Sequence, residues 1–128
     1  MMRYVVETEK TPEQALADLT EAVRKHGFGV LHTYDLKQTL SSKGFDLPNA
    51  CHILEICNPQ QALNVLNEDM GMNIALPCRV SVYSEGGKTK IAMARPTRLL
   101  GALSDSLNLE TIAKEVEEKM TDMIGDAL

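Results

Sequence analysis

The sequence predicts an α+β fold, with about five strands in a mixed or antiparallel sheet and helices packed mainly on one face. Three features carry that expectation. Short apolar runs of strand character alternate with helix-period segments along the chain. Glu85-Gly86-Gly87-Lys88 is a two-glycine hairpin turn, which requires neighbouring antiparallel strands. Residues 108–125 carry one apolar stripe at helical spacing, and a helix of that kind must lay its stripe on a partner surface. The 128 residues suffice for one core, and no linker, repeat or low-complexity tract divides them, so a single domain over 1–128 is expected.

Tyr4, Val5 and Val6 mark an opening strand over 2–8. Thr11 then caps a helix that has Pro12 in its first position and Gln14 three residues after the cap. Ala15, Leu16, Leu19, Ala22 and Val23 recur at helical spacing, and Gly27 is placed to stop the helix. Residues 28–34 form the second strand. A short helix over 35–43 follows, capped by Asp35, with Leu36 and Leu40 one turn apart and Gly44 as its stop. The third strand covers 50–57. A helix over 59–69 is expected to bury Ala62, Leu63 and Leu66, with Met70-Gly71 as its exit. Strands over 76–85 and 89–94 flank the hairpin turn. The last helix sets Leu109, Ile112, Ala113, Val116, Met120, Met123 and Ile124 on one side, with Glu115, Glu117, Glu118 and Lys119 mostly opposite.

Charge and composition narrow the function. A net charge of −5 with no Lys/Arg-rich run argues against nucleic acid or an anionic membrane as partner. The apolar runs are too short for a membrane span, and residues 1–8 have strand rather than signal character, so a cytoplasmic protein is expected. Three cysteines is an odd number for a disulfide framework and leaves at least one free thiol. No nucleophile elbow is present, and Gly86-Gly87 lacks the helix and the lysine-threonine ending of a phosphate loop. Cys51 and His52 are adjacent and so alternate across a strand, and no CxxC or HxxxH spacing exists, so no metal or cofactor is expected. The methionines fall mostly on apolar stripes or near the termini, as core residues do.

Two junctions stand apart from this framework, Ile56-Cys57-Asn58-Pro59 and Leu76-Pro77-Cys78-Arg79-Val80. In the first, Asn58 caps the next helix and Pro59 suits its first turn, which leaves Cys57 beside a helix start, a position that favours thiolate. The same arrangement is an ordinary strand-to-helix turn. Together with Gly27-Phe28-Gly29-Val30, Ile53-Leu54-Glu55, Ala62 and Val82-Tyr83, these segments resemble the bacterial and archaeal domain of unknown function 302 family. The resemblance spans nearly the whole chain. It implies a small α+β domain, often a homodimer, with no established enzymatic activity. Cys57, Asn58, Pro59, Pro77 and Cys78 match the family's motifs, whereas Cys51 and His52 lie outside them.

Strand parity assigns the candidate residues to faces. Cys78 shares a face with Leu76, Val80 and Val82 and is expected in the core, while Arg79, Ser81 and Tyr83 take the other side. Cys57 shares parity with Cys51, Ile53 and Glu55, so in regular strands the Cys57 and Cys78 thiols point apart; a bulge, or the chain's departure at Asn58-Pro59, would bring them together. Glu55 is a carboxylate in an apolar strand, and Arg79 and Lys90 are its expected partners. Two functions remain open. One is a non-enzymatic ligand-binding or interaction module, a homodimer using the helix-free sheet face (Glu55, Arg79, Ser81, Tyr83) or the cleft at Cys57 and Asn58 to take a small molecule or a protein. The other is a thiol-dependent sulfur carrier or redox-responsive protein using Cys57.

Overall fold

The computed structural model describes residues 1–128. Its strands are β1 (Arg3–Thr8), β2 (Gly29–Asp35), β3 (Cys51–Cys57), β4 (Cys78–Glu85) and β5 (Lys88–Ala94). The helices are α1 (Pro12–Lys25), α2 (Leu36–Ser42), α3 (Pro59–Glu68), α4 (Pro96–Leu103) and α5 (Leu107–Ala127), and a 3-10 helix covers Met70–Ala75. The strands form one sheet in the order β1-β5-β4-β3-β2, and every neighbouring pair is antiparallel. Strands β1 and β2 therefore run in the same direction at opposite edges, and the α1 connection spans the sheet between them.

The local signals explain most boundaries. Thr11, Asp35, Asn58 and Ser106 each accept a hydrogen bond from the backbone N–H three residues on, which satisfies a donor that the first helical turn leaves free. The hairpin joining β4 and β5 turns on Gly86 and Gly87 with φ of 61° and 76°, the left-handed pair that a tight two-residue turn requires.

One face of the sheet presents Leu54, Ile56, Val80, Val82, Ile91 and Met93, all buried, to α1 and α5. Helix α1 contributes Ala15, Leu19, Ala22 and Val23, and α5 contributes Val116, Met120, Met123 and Ile124. A second, smaller cluster of Val65, Met72, Leu100, Leu109 and Ala113 ties α3, the 3-10 helix and α4 to the first half of α5. It lies beyond the end of the sheet, where β3 leaves into α3, β4 enters after the 3-10 helix, and β5 leaves into α4. The opposite, outer face carries none of either cluster. No helix is long and apolar enough to cross a membrane.

The structure differs from the sequence expectation at four places. Helix α4 was not anticipated, although Pro96 opens it and Leu100 is buried in it. Strand β4 starts at Cys78 instead of residue 76, after a cis Leu76–Pro77 bond, and proline has no N–H to donate to the ladder. Val65 is the buried residue of α3, while Leu63 is 52% exposed on its solvent side. A bulge between Val30 and His32 leaves Leu31 unpaired and 62% exposed on edge strand β2.

These burial differences set the cost of truncation. Leu54→Ala should destabilise the protein by about 2–5 kcal/mol, since Leu54 is fully enclosed. Leu31→Ala should stay within about 0.5 kcal/mol. Urea unfolding of the two variants beside the parent checks both values.

Candidate functional site

Cys57 is the last residue of β3, and Asn58 turns the chain directly into α3 by accepting the Gln61 backbone N–H at 3.2 Å through its Oδ1. Cys78 opens β4 just after Pro77. Because Ile56 is the register partner of Cys78, Cys57 lies one residue past the last β3–β4 pair, while it still pairs with Gly29 of β2. Parity within the strands holds, with Leu54 and Ile56 in the core. At this end β3 turns straight into α3, and both Cys57 and Cys78 line a single cavity of about 690 Å³. All three cysteines are free thiols.

The cavity fills the space between the sheet end and the second cluster. Ala62 and Leu66 of α3, Leu100 of α4, and Val116 and Met120 of α5 form much of its wall. Of 22 lining residues, 17 are hydrophobic, so its surface has little capacity to orient a polar molecule except where Asn58, Gln61 and Arg79 contribute. Gln61 is already engaged, donating from Nε2 to Glu115 Oε2 at 3.0 Å. Arg79 is 66% exposed and is the charged member of the lining.

The electrostatics of Cys78 follow from this position. It packs against the main core, and burial, followed by the neighbouring Cys57, pushes its thiol from the ordinary 9.0 up to about 11. At neutral pH it is a small, neutral, weakly polar wall residue. Cys51 is also pushed up, first by burial and then by Asp35, and it lies away from the cavity, opposite Tyr83 on the outer face.

Glu55, Ser81 and Tyr83 belong to the outer face, and Arg79 belongs to both places. Arg79 is the register partner of Glu55 and donates to its Oε2 from Nη2 at 3.2 Å and from Nε at 3.3 Å. The Tyr34 hydroxyl donates to Oε1 of the same carboxylate at 2.7 Å, and His32 stacks beside Tyr34 with ring centroids 4.3 Å apart. The Tyr34 bond, and after it the Arg79 contacts, hold Glu55 below its ordinary value of 4.5 against opposing desolvation. The same bond raises Tyr34. Both carboxylate oxygens are thus accepting hydrogen bonds from protein donors. Lys90, the other expected partner of Glu55, pairs with Glu85 at 2.9 Å. Ser81 lies between Ile53 and Ala92, and Tyr83 between Cys51 and Lys90.

The site residues named from sequence therefore divide into a cavity set of Cys57, Asn58, Cys78 and Pro77, and a face set of Glu55, Ser81 and Tyr83, with Arg79 joining them. Pro59 opens α3. Sequence reasoning missed Tyr34, and it missed the α4 wall, whose signals were Pro96 and the spacing of Leu99, Leu100 and Leu103. His52 pairs loosely with Asp35 at 4.0 Å, and no three His, Cys, Asp or Glu side chains converge on one point.

With this geometry in hand, comparison with known proteins places the chain. The family model described as domain of unknown function DUF302 matches residues 4–127. The chain belongs to this family. It is also similar to an uncharacterised conserved DUF302 protein from Bacillus stearothermophilus, whose crystal structure matches at a TM-score of 0.95 and 35% identity, covering 100% of this chain and 99% of that one. No curated protein matches. In this DUF302 chain the Cys57-Asn58-Pro59 and Pro77-Cys78 segments both meet at the end of the sheet, around the cavity.

The raised Cys78 value has a measurable sign. Its proton is held more tightly in the folded chain than in the unfolded one, so the associated stability is complete below pH 9.0 and is lost as pH climbs towards about 11. The unfolding free energy of the parent minus that of Cys78→Ala should therefore fall across this alkaline window and be flat from pH 6 to 8. Urea titrations at stepped pH would show it.

Proposed function

We propose that this DUF302 chain is a non-enzymatic ligand-binding module that holds a small apolar molecule in the cavity at the start of α3 and acts as a homodimer in the cytoplasm. The observation that carries the proposal is the cavity itself. About 690 Å³ lies within the range of roughly 300–1,000 Å³ used for drug-sized ligands, and a mostly apolar lining with a few placed polar groups is the usual composition of such sites. Its walls come from elements fixed by two apolar clusters, so the space is built into the fold. The outer face supports the homodimer. Val5, Ala92, Ser81, Ile53 and Tyr34 form a row across all five strands by register, mostly small or apolar, and a second copy of the chain would cover it.

A second reading, in which Cys57 carries sulfur or responds to oxidants, is favoured by one observation: Cys57 and Cys78 share the cavity wall. The readings part at Cys57→Ala, which keeps ligand binding in the first and removes function in the second.

The neutral fluorophore N-phenyl-1-naphthylamine should bind the parent with an emission increase that saturates, and Ala62→Trp, which fills the cavity from α3, should weaken binding at least about tenfold. Absence of saturable binding to the parent, or equal binding to a folded Ala62→Trp, would overturn the proposal.

The assembly is checked separately by light scattering at micromolar concentration, where the expected mass is twice the 14.1 kDa of one chain. Ser81→Glu, in the middle of the outer row, should shift it towards one chain. A parent that scatters as a single chain would remove the homodimer.

A further inference from the structure

We propose that the cavity takes a single-chain aliphatic anion, a fatty-acid-like molecule whose carboxylate lies at Arg79 and Asn58 and whose chain runs among the side chains of α3, α4 and α5. This rests on the ligand-binding reading above and names the class of ligand.

The wall narrows the class of ligand. Phe28 is the one aromatic residue among the 22 that line the cavity, so no pair of aromatic faces is present to clamp a nucleobase or flavin between them. The remaining apolar lining is almost wholly aliphatic. Such a wall gains most from a flexible chain of methylene groups that follows its contour, each contributing a fraction of the binding through the water it leaves.

The polar groups define the other end of the ligand. Arg79 is the charged lining residue, and no Asp, Glu or Lys lines the space, despite the net charge of −5 over the whole chain. Glu55 Oε2 engages Nη2 and Nε of Arg79, which leaves Nη1 available. Asn58 spends its Oδ1 on the α3 cap, which leaves its amide as a donor. The acceptor of the lining Gln61 side chain, Oε1, already takes the Asn64 amide at 3.3 Å, and Glu55, outside the lining, has its oxygens engaged by Tyr34 and Arg79. A set of free donors with its acceptors occupied fits a head group that only accepts, and an ionised carboxylate is such a group. The rim suits entry of the chain. Ile74 and Leu103 line the cavity and are 74% and 43% exposed, so aliphatic side chains extend from the interior out to solvent.

The test is displacement of N-phenyl-1-naphthylamine from the parent by dodecanoate, dodecanol and dodecyltrimethylammonium, which share a chain and differ in head charge. Dodecanoate should displace the probe at about tenfold lower concentration than either of the others. Arg79→Met keeps the apolar stem of an exposed side chain and should weaken dodecanoate about tenfold while leaving dodecanol unchanged, and Arg79→Lys should restore part of the loss. Equal displacement by all three, or preference for the alcohol or the cation, would overturn the carboxylate assignment. Saturable probe binding with no displacement by any of them would overturn the aliphatic class while leaving the ligand-binding reading in place. Failure of the probe to bind would remove that reading itself.

Discussion

Helix α5 is the member on which the other packing depends, because its single apolar stripe serves two clusters at once. Its 21 residues extend about 30 Å. Val116, Met120, Met123 and Ile124 close the main core over the sheet, whereas Leu109 and Ala113 belong to the cluster beyond the sheet end. Ile112 packs against both. A rigid helix spanning both regions fixes their separation, and the cavity occupies the interval between them. Any change that shifted α5 along its axis would alter the core and the cavity wall together.

The chain segments at that end of the sheet have a common physical cause. Pro59, Pro77 and Pro96 each sit where a strand begins or ends, and each lacks the N–H that would continue a ladder. Pairing therefore stops at about the same level on the three central strands, and α3, the 3-10 helix and α4 must find cover elsewhere. They find it against one another and against α5. The space left between this group and the strand ends is lined by residues such as Ile56 and Cys78 that would otherwise be the last rung of a closed core.

What could be read from the sequence was what depends on neighbours along the chain. The α5 stripe, the Asn58-Pro59 helix start and the Gly86-Gly87 turn are local, and each appears where its residues indicate. The Glu55–Arg79 pair was accessible because both residues oppose known core positions on their own strands. Tyr34 was not, and the reason is one residue. In a regular β2, Leu31 would share the outer face with Glu55, and Tyr34 would point to the core; the bulge at Leu31 reverses the alternation and delivers Tyr34 to the carboxylate. The cavity was hidden for a different reason. It lies at the end of the β3–β4 ladder, where β3 turns into α3, and about a third of its lining is supplied by α4 and α5, far along the chain.

The bulge at Leu31 also governs how the sheet can grow. An edge strand with an unbroken row of free N–H and C=O groups invites another chain to pair with it, and interruptions of that row are a recognised protection. On β2 the extra residue puts successive backbone groups out of step, so an incoming strand could match one half of this edge or the other but not both. The opposite edge, β1, has only six residues. Continuous side-by-side extension of the sheet is thus discouraged at β2 and kept short at β1.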